Sequence, residues 1–215
     1  MFAGFNNEVL GNFIGTDVSG KVDLGNRLFG VEIFNGQTNR IGALTGSTIA
    51  AIPNLISGNG ANGVDISGPV ANDNIVVGNF IGSDNTGEAA LGNDGAGVSI
   101  DDGSSNLIGH SGEVRLGNLI SGNAEGVVIE GLNGNGNEVV ANVIGAAANG
   151  IDELPNTFTG IRITESSNNN LIGGVQGQDL VAPGNIIAFN GGIGIRVESG
   201  ICNRILGTPS TRMGS

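Results

Sequence analysis

The chain has no tryptophan and no tyrosine. That absence bears first on carbohydrate recognition, because sugar-binding grooves commonly use those ring faces as platforms; it weighs against both a polysaccharide-degrading enzyme and a lectin. A single cysteine, Cys202, excludes an internal disulfide framework and any thiolate metal cage, each of which needs several sulfurs. No apolar run approaches the roughly 20 residues of a membrane span, and the opening MFAGFNNEVLGN lacks the basic-then-apolar order of a signal peptide, so no membrane insertion and no leader are expected within this chain. Basic residues are scarce too, 8 Lys and Arg against 20 Asp and Glu for a net charge of −12. Such a surface repels phosphate backbones and anionic lipid, which argues against nucleic acid as a partner and is also what ordinary solubility looks like.

What is abundant is glycine, 41 of 215 residues, with asparagine prominent beside it and only 5 prolines. A disordered chain would show this bias without a core, but here the 39% apolar content arrives in Val/Ile runs at fixed offsets. The stretch Asn74–Asn93, NIVVGNFIGSDNTGEAALGN, is written again at Asn7–Asn26 as NEVLGNFIGTDVSGKVDLGN and, eroded, at Asn137–Asn156 as NEVVANVIGAAANGIDELPN. Each copy is therefore one supersecondary unit that buries its apolar face against the next.

Three signatures recur in a fixed order: an N-x-V/I strand, a G-N-x-I strand and a G-V-x-I strand. Anchored on the first, coils begin at Asn7, Asn39, Asn74, Asn106, Asn137, Asn170 and Asn203 and run 32, 35, 32, 31, 33 and 33 residues. That gives about six coils and a fragment in one domain spanning 1–215, and the pattern reads as part of a longer array. Odd coils insert residues between the second and third strands (Thr16–Phe29, Ser83–Ala96, Ala146–Thr159), and even coils between the first and second (Ala43–Pro53, His110–Gly117, Gly174–Gly184). The true period is two coils.

Columns that stay apolar mark the inside. On the first strand the column Val9, Ile41, Val76, Ile108, Val139, Ile172, Ile205 is uniform whereas its predecessor is mixed, and on the third strand pairs such as Val98/Ile100 and Val127/Ile129 recur. Alternate residues of a strand face opposite sides, so these point inward, and β-branched side chains suit a buried pleated surface. Three strands per coil, each stacked in parallel about 4.8 Å from its counterpart, predict an all-β fold, a single-chain parallel β-helix with long insertions on alternating corners. Asn12, Asn54, Asn79 and their equivalents are expected at the corners, where Asn tolerates left-handed backbone and its amide can bond the coil above.

The succession N-x-V-x-G-N-x-I-G, G-V-x-I and G-N-x-I-S-G-N resembles the parallel β-helix repeats of the pectin-lyase-like superfamily, closest to the Asn/Gly-rich arrays of large secreted or surface-displayed bacterial proteins. The resemblance covers essentially the whole chain and implies a right-handed helix and an extracellular or cell-surface setting. It is nearly silent on activity, since the superfamily mixes lyases, hydrolases, epimerases and non-catalytic adhesive stalks.

Enzymes of that superfamily build their sites on the outer face of one stacked sheet. Here the outward positions of the third strand form the columns Glu32, Asp65, Ser99, Val128, Arg162, Arg196 and Phe34, Ser67, Asp101, Glu130, Thr164, Glu198. Asp101 and Glu130 become vertical neighbours, a spacing at which two carboxylates split their pKa values and serve as acid and base, with Arg162 on the next rung to hold an anionic sugar and Asp65 nearby. A solvated charged surface explains the same columns. Asp101-Asp102, Gly109-His110-Ser111 and Arg162-Ile163-Thr164 echo the DD, GHG and RIK of polygalacturonase-like hydrolases, but only a few residues separate the first two where those enzymes need about one coil. The turns Asp17–Asp23 and Asp84–Glu88 bunch oxygen donors around a glycine, so Asp17, Asp23, Asp84 and Glu88 are calcium candidates, against a plain turn.

The sequence thus favours a non-enzymatic rigid stalk or adhesive surface, with carbohydrate or another surface protein as partner; a polysaccharide lyase or glycoside hydrolase and a self-associating structural module stand as alternatives. Two further expectations concern apolar surface. The outward stripe Phe13, Leu55, Phe80, Leu119, Val143, Ile186 should be covered by Leu24, Leu91 and Leu154 of the odd-coil insertions. Met1–Phe5 should partly cap the first rung, while the polar tail Thr208–Ser215 should leave the last one open to end-to-end association.

Overall fold

The short strand that follows each leading asparagine pairs in parallel with the same strand of the coil before and after it, and the other two signatures do likewise. The computed structural model, which describes residues 4–42, 53–110, 117–174 and 184–207, contains no helix among those residues and sorts the strands into three parallel sheets. The first sheet stacks seven strands (Glu8–Val9, Arg40–Ile41, Ile75–Val76, Leu107–Gly109, Glu138–Val140, Leu171–Gly173, Arg204–Leu206). The second stacks six (Phe13–Ile14, Leu55–Ile56, Phe80–Ile81, Leu119–Ile120, Val143–Ile144, Ile186–Ile187), and so does the third (Val31–Phe34, Val64–Ser67, Ala96–Asp101, Glu125–Glu130, Ile161–Ile163, Ile195–Val197). The fold is a parallel β-solenoid. Register follows the repeat: Ile66 pairs with Ile100, Ile100 with Ile129 and Ile129 with Ile163.

Inside, these columns form an aliphatic ladder in which Ile56, Ile66, Ile81, Ile100, Ile108, Ile120 and Ile129 are wholly buried. Each such side chain contributes about 1.5–3 kcal/mol by leaving water. The corners hold three asparagine ladders, Asn7 to Asn203, Asn12 to Asn185 and Asn26 to Asn190, in which each Nδ2 donates to the Oδ1 of the Asn one coil on. In the first ladder the backbone N–H donates to that oxygen as well, for example Asn74 N to Asn106 Oδ1 at 2.9 Å. These bonds satisfy groups that a tight corner would otherwise bury unpaired.

One detail of the corner differs from the expectation. No ladder asparagine adopts the left-handed conformation; the residue before it in the first ladder does, as at Thr38 (φ 54), Asp73 (φ 59) and Ser105 (φ 56). The preceding residue turns the chain, leaving the asparagine free to aim its amide into the stack.

The odd-coil insertions fold as small hairpins, closed by antiparallel bridges Thr16↔Asp23, Ser83↔Ala90 and Ala146↔Glu153. They reach over the intervening even coil to one another, since Asn85 N donates to Gly20 O and Ala148 N to Gly87 O, which gives the two-coil period a physical basis. The outward stripe is covered in part, and by these turns more than by the leucines: Phe13 remains 45% exposed and Phe80, Val143 and Ile186 half-buried. A Cβ on Gly20 would lie 2.7 Å from Leu55 Cδ2, and one on Gly87 2.8 Å from Leu119 Cδ2. Leu55 and Leu119 are buried beneath them, whereas Leu24 is 66% exposed, Leu91 is half-buried and Leu154 alone is buried. Leucine falls after the hairpin closes, so it is the turn backbone that lies on the stripe.

The even-coil insertions fall largely on 43–52, 111–116 and 175–183, outside the described residues, as do Met1–Ala3 and Thr208–Ser215 of the two expected ends. Phe5, described, bridges to Gln37 and is half exposed.

Candidate functional site

The third sheet carries the charged outer face, and a glycine column sets its edge. Gly63, Gly97 and Gly126 precede the inward valines, and a Cβ on each would lie 2.8, 2.4 and 2.7 Å from Cγ2 of Ile81, Ile120 and Ile144. Because these glycines face the second sheet's isoleucines, the residues just before them, Asn62, Ala96 and Glu125, stand on the outside. Simple alternation would have put Glu125 inside.

Glu125 and Arg162 form a two-pronged ion pair on this face: Arg162 Nε donates to Oε1 at 3.0 Å and Nη2 to Oε2 at 2.9 Å. This is the planar fork-to-fork arrangement that charge-assisted pairs favour. The hydrogen bond that Arg162 donates to Glu125 is the main cause that holds its guanidinium above the ordinary pKa. Nη1 of Arg162 stands 3.9 Å from Glu130 Oε2, an ion pair longer than a hydrogen bond. Glu130 pairs in register with Asp101, so the two expected carboxylates are neighbours on adjacent rungs. Burial pushes the Glu130 carboxyl up, Arg162 pulls it back, and Asp101, Glu165 and Glu125 push it up again. Asp101 is also raised, by burial first and then by Asp102, Asp65 and Glu165. Asp65 is buried and accepts a 2.8 Å hydrogen bond from Asn62 Nδ2.

Beside these groups lies a cavity of about 270 Å³ lined by Asn62, Asp94, Ser99, Val128, Phe158 and the Glu125–Glu130–Arg162 cluster. Of the four residues singled out from the sequence, Glu130 and Arg162 line it, Asp101 stands beside Glu130 on the exposed rim, and Asp65 is turned to Asn62. Glu125, Asn62, Asp94 and Phe158 were missed. The uniform glycine column was the available signal for Glu125 and Asn62; Asp94 and Phe158 reach the groove from corner positions that no strand alternation specifies.

The polygalacturonase-like triplet comes apart. Asp101 and Arg162 belong to the third sheet, His110 follows a strand of the first, and Asp102 turns its carboxylate to Asn133, whose backbone N–H donates to Oδ1 at 3.0 Å.

In the odd-coil hairpins, Asp17 accepts hydrogen bonds from the Ser19 hydroxyl and from the N–H groups of Lys21 and Val22, which hold its carboxyl down at about 2, the Ser19 contact first among the causes. Asp84 does the same with Thr86, Glu88 and Ala89, and its pKa too lies below the ordinary value although burial opposes this. Asp23 caps Gly25 N, and Glu88 is exposed. In the third copy, where Ala147 replaces the aspartate, Asn149 Oδ1 accepts from Ile151 and Asp152 instead. Oxygens already taken by the loop's own N–H groups fit a turn cap better than a calcium loop, and among the described residues no three His, Cys, Asp or Glu side chains come together to share a metal ion.

Compared with known proteins, the chain matches no family model, no curated sequence and no solved structure, so what this face can do rests on its own geometry.

Proposed function

We propose that this chain is a non-enzymatic β-solenoid segment, a rigid column that presents the outer face of its third sheet as a binding surface. The observation that carries this reading is the set of three asparagine ladders running beside the aliphatic core, which tie successive coils from Asn7 to Asn190 at three corners and the last described one through Asn170 and Asn203. A column pinned in this way resists bending and local opening, as a stalk or adhesive scaffold requires. The resemblance of the repeats to pectin-lyase-like surface arrays supports an extracellular or cell-surface setting.

A second reading, a polysaccharide lyase or hydrolase, draws support from Asp101 and Glu130, adjacent carboxyls that are both raised. Against it stands Arg162, the residue needed to hold a uronate, which is already closed on Glu125. Incubation of uronate polymers with the wild-type chain and with Asp101→Asn/Glu130→Gln decides between them. The scaffold reading expects no depolymerisation by either protein; turnover by wild type that disappears in the double variant transfers the function to the enzyme reading.

A further inference from the structure

We infer that the groove between Ser99, Glu130 and Phe158 docks a lysine or arginine side chain from a partner polypeptide. This rests on the reading of the third sheet as a binding face and names the chemistry that face would recognise. The first observation is Ser99, which is only 5% exposed, lines the cavity from the outward column of its strand and makes no hydrogen bond through its hydroxyl to any described residue. Its oxygen is not one of the sealed polar atoms that lack a partner, so it opens on the cavity and can bond a group that enters there.

The second observation is the charge left over around it. Both arginines of this face are engaged, Arg162 with Glu125 and Arg196 with Glu198 at 2.9 Å, while the carboxylates of Asp94 and Glu130 accept no hydrogen bond from a described residue. An anionic sugar would meet repulsion here; an ammonium or guanidinium would find two carboxylates and a hydroxyl to donate to. The third observation is the wall. Val128 and the half-exposed ring of Phe158 line the same cavity, offering apolar surface for a methylene stem and a ring face for its charge. A volume of about 270 Å³ lies just below the range of ordinary small-molecule pockets, which suits one long side chain. The stem-and-head shape is that of a basic amino acid, whereas an amino sugar would present a ring edged with hydroxyls to Val128 and Phe158.

Calorimetric titration with a hexalysine peptide at low salt tests this. Binding should weaken about tenfold or more in Glu130→Gln, a few-fold in Ser99→Ala, and not at all in Glu138→Gln, which removes the same charge from the outer face of the first sheet. Peptide with all amines acetylated should be silent. Equal weakening in Glu130→Gln and Glu138→Gln would reduce the effect to general attraction between a polycation and an acidic protein and overturn the proposal. So would absence of binding, or a glucosamine hexamer that binds through Glu130 while hexalysine does not. None of these outcomes bears on polyuronate turnover, so the docking site can fail while the scaffold stands.

Discussion

Asn106 shows what one ladder residue does. Wholly buried, it donates Nδ2 to Ala71 O at 3.0 Å and to Asn137 Oδ1 at 3.1 Å, while its own Oδ1 accepts from Asn74 N and Nδ2. Asn106→Ala would leave partners in two neighbouring coils unpaired in a dry corner, at a cost of about 3 kcal/mol or more. Asn7→Ala removes only the side-chain bond to Asn39 Oδ1 at the exposed first coil, where the backbone N–H of residue 7 still donates, and should cost about 1 kcal/mol or less. Urea unfolding of the two variants measures the difference; similar midpoints would mean that the ladder holds nothing. The identity of the ladder residues was plain in the sequence because asparagine recurs there without substitution. Their backbone conformation was not, because the left-handed φ falls on the residue before each ladder asparagine, a column that mixes Asn6, Asp73 and Gly136, which take it readily, with Thr38 and Ser105, which do not, so residue type alone does not mark it.

Among the elements, the odd-coil hairpins carry the two-coil period. Gly87 has φ 72, and a Cβ there would fall 2.7 Å from the Ala148 methyl and 2.8 Å from Leu119 Cδ2. Gly136, at φ 66, would meet only Ser105 Oγ at 3.8 Å. Both alanine variants suffer the same backbone penalty, so any excess in Gly87→Ala reports the packing of the hairpin on the stripe; about 1–3 kcal/mol is expected from forced displacement in a close-packed contact. Equal thermal destabilisation of the two variants would falsify the covering role assigned to the turn. Sequence had placed that role on Leu24, Leu91 and Leu154, reasoning that apolar stripes attract apolar side chains. The turn backbone fits closer, and a glycine has no side chain by which a sequence could announce the contact.

At the scale of the molecule, stability is a sum over coils and their interfaces. Ile129 lies in register between Ile100 and Ile163 and is wholly buried, whereas Ile205, on the last described strand, is 52% exposed. Ile129→Ala should therefore cost about 2–5 kcal/mol and Ile205→Ala much less. Equal losses by calorimetry would show a globally cooperative core in place of nearest-neighbour coils.

The repeat determined the architecture on its own. Uniform apolar columns at Val98/Ile100 and Val127/Ile129 admit one inward face, and identical columns at intervals of one coil admit only parallel stacking, so sheets, register and core were legible before any coordinates. The functional face was legible only in part. Asp101 and Glu130 were placed side by side by the same alternation, but the pairing of Arg162 with Glu125 and the groove at Ser99 depend on a corner where Gly126 turns toward Ile144 and reverses that alternation. Periodicity fixes what repeats along the column. What differs between coils, including which carboxylate captures the arginine and which hydroxyl is left without a partner, is decided by side chains meeting across rungs, and that meeting exists only in the folded stack.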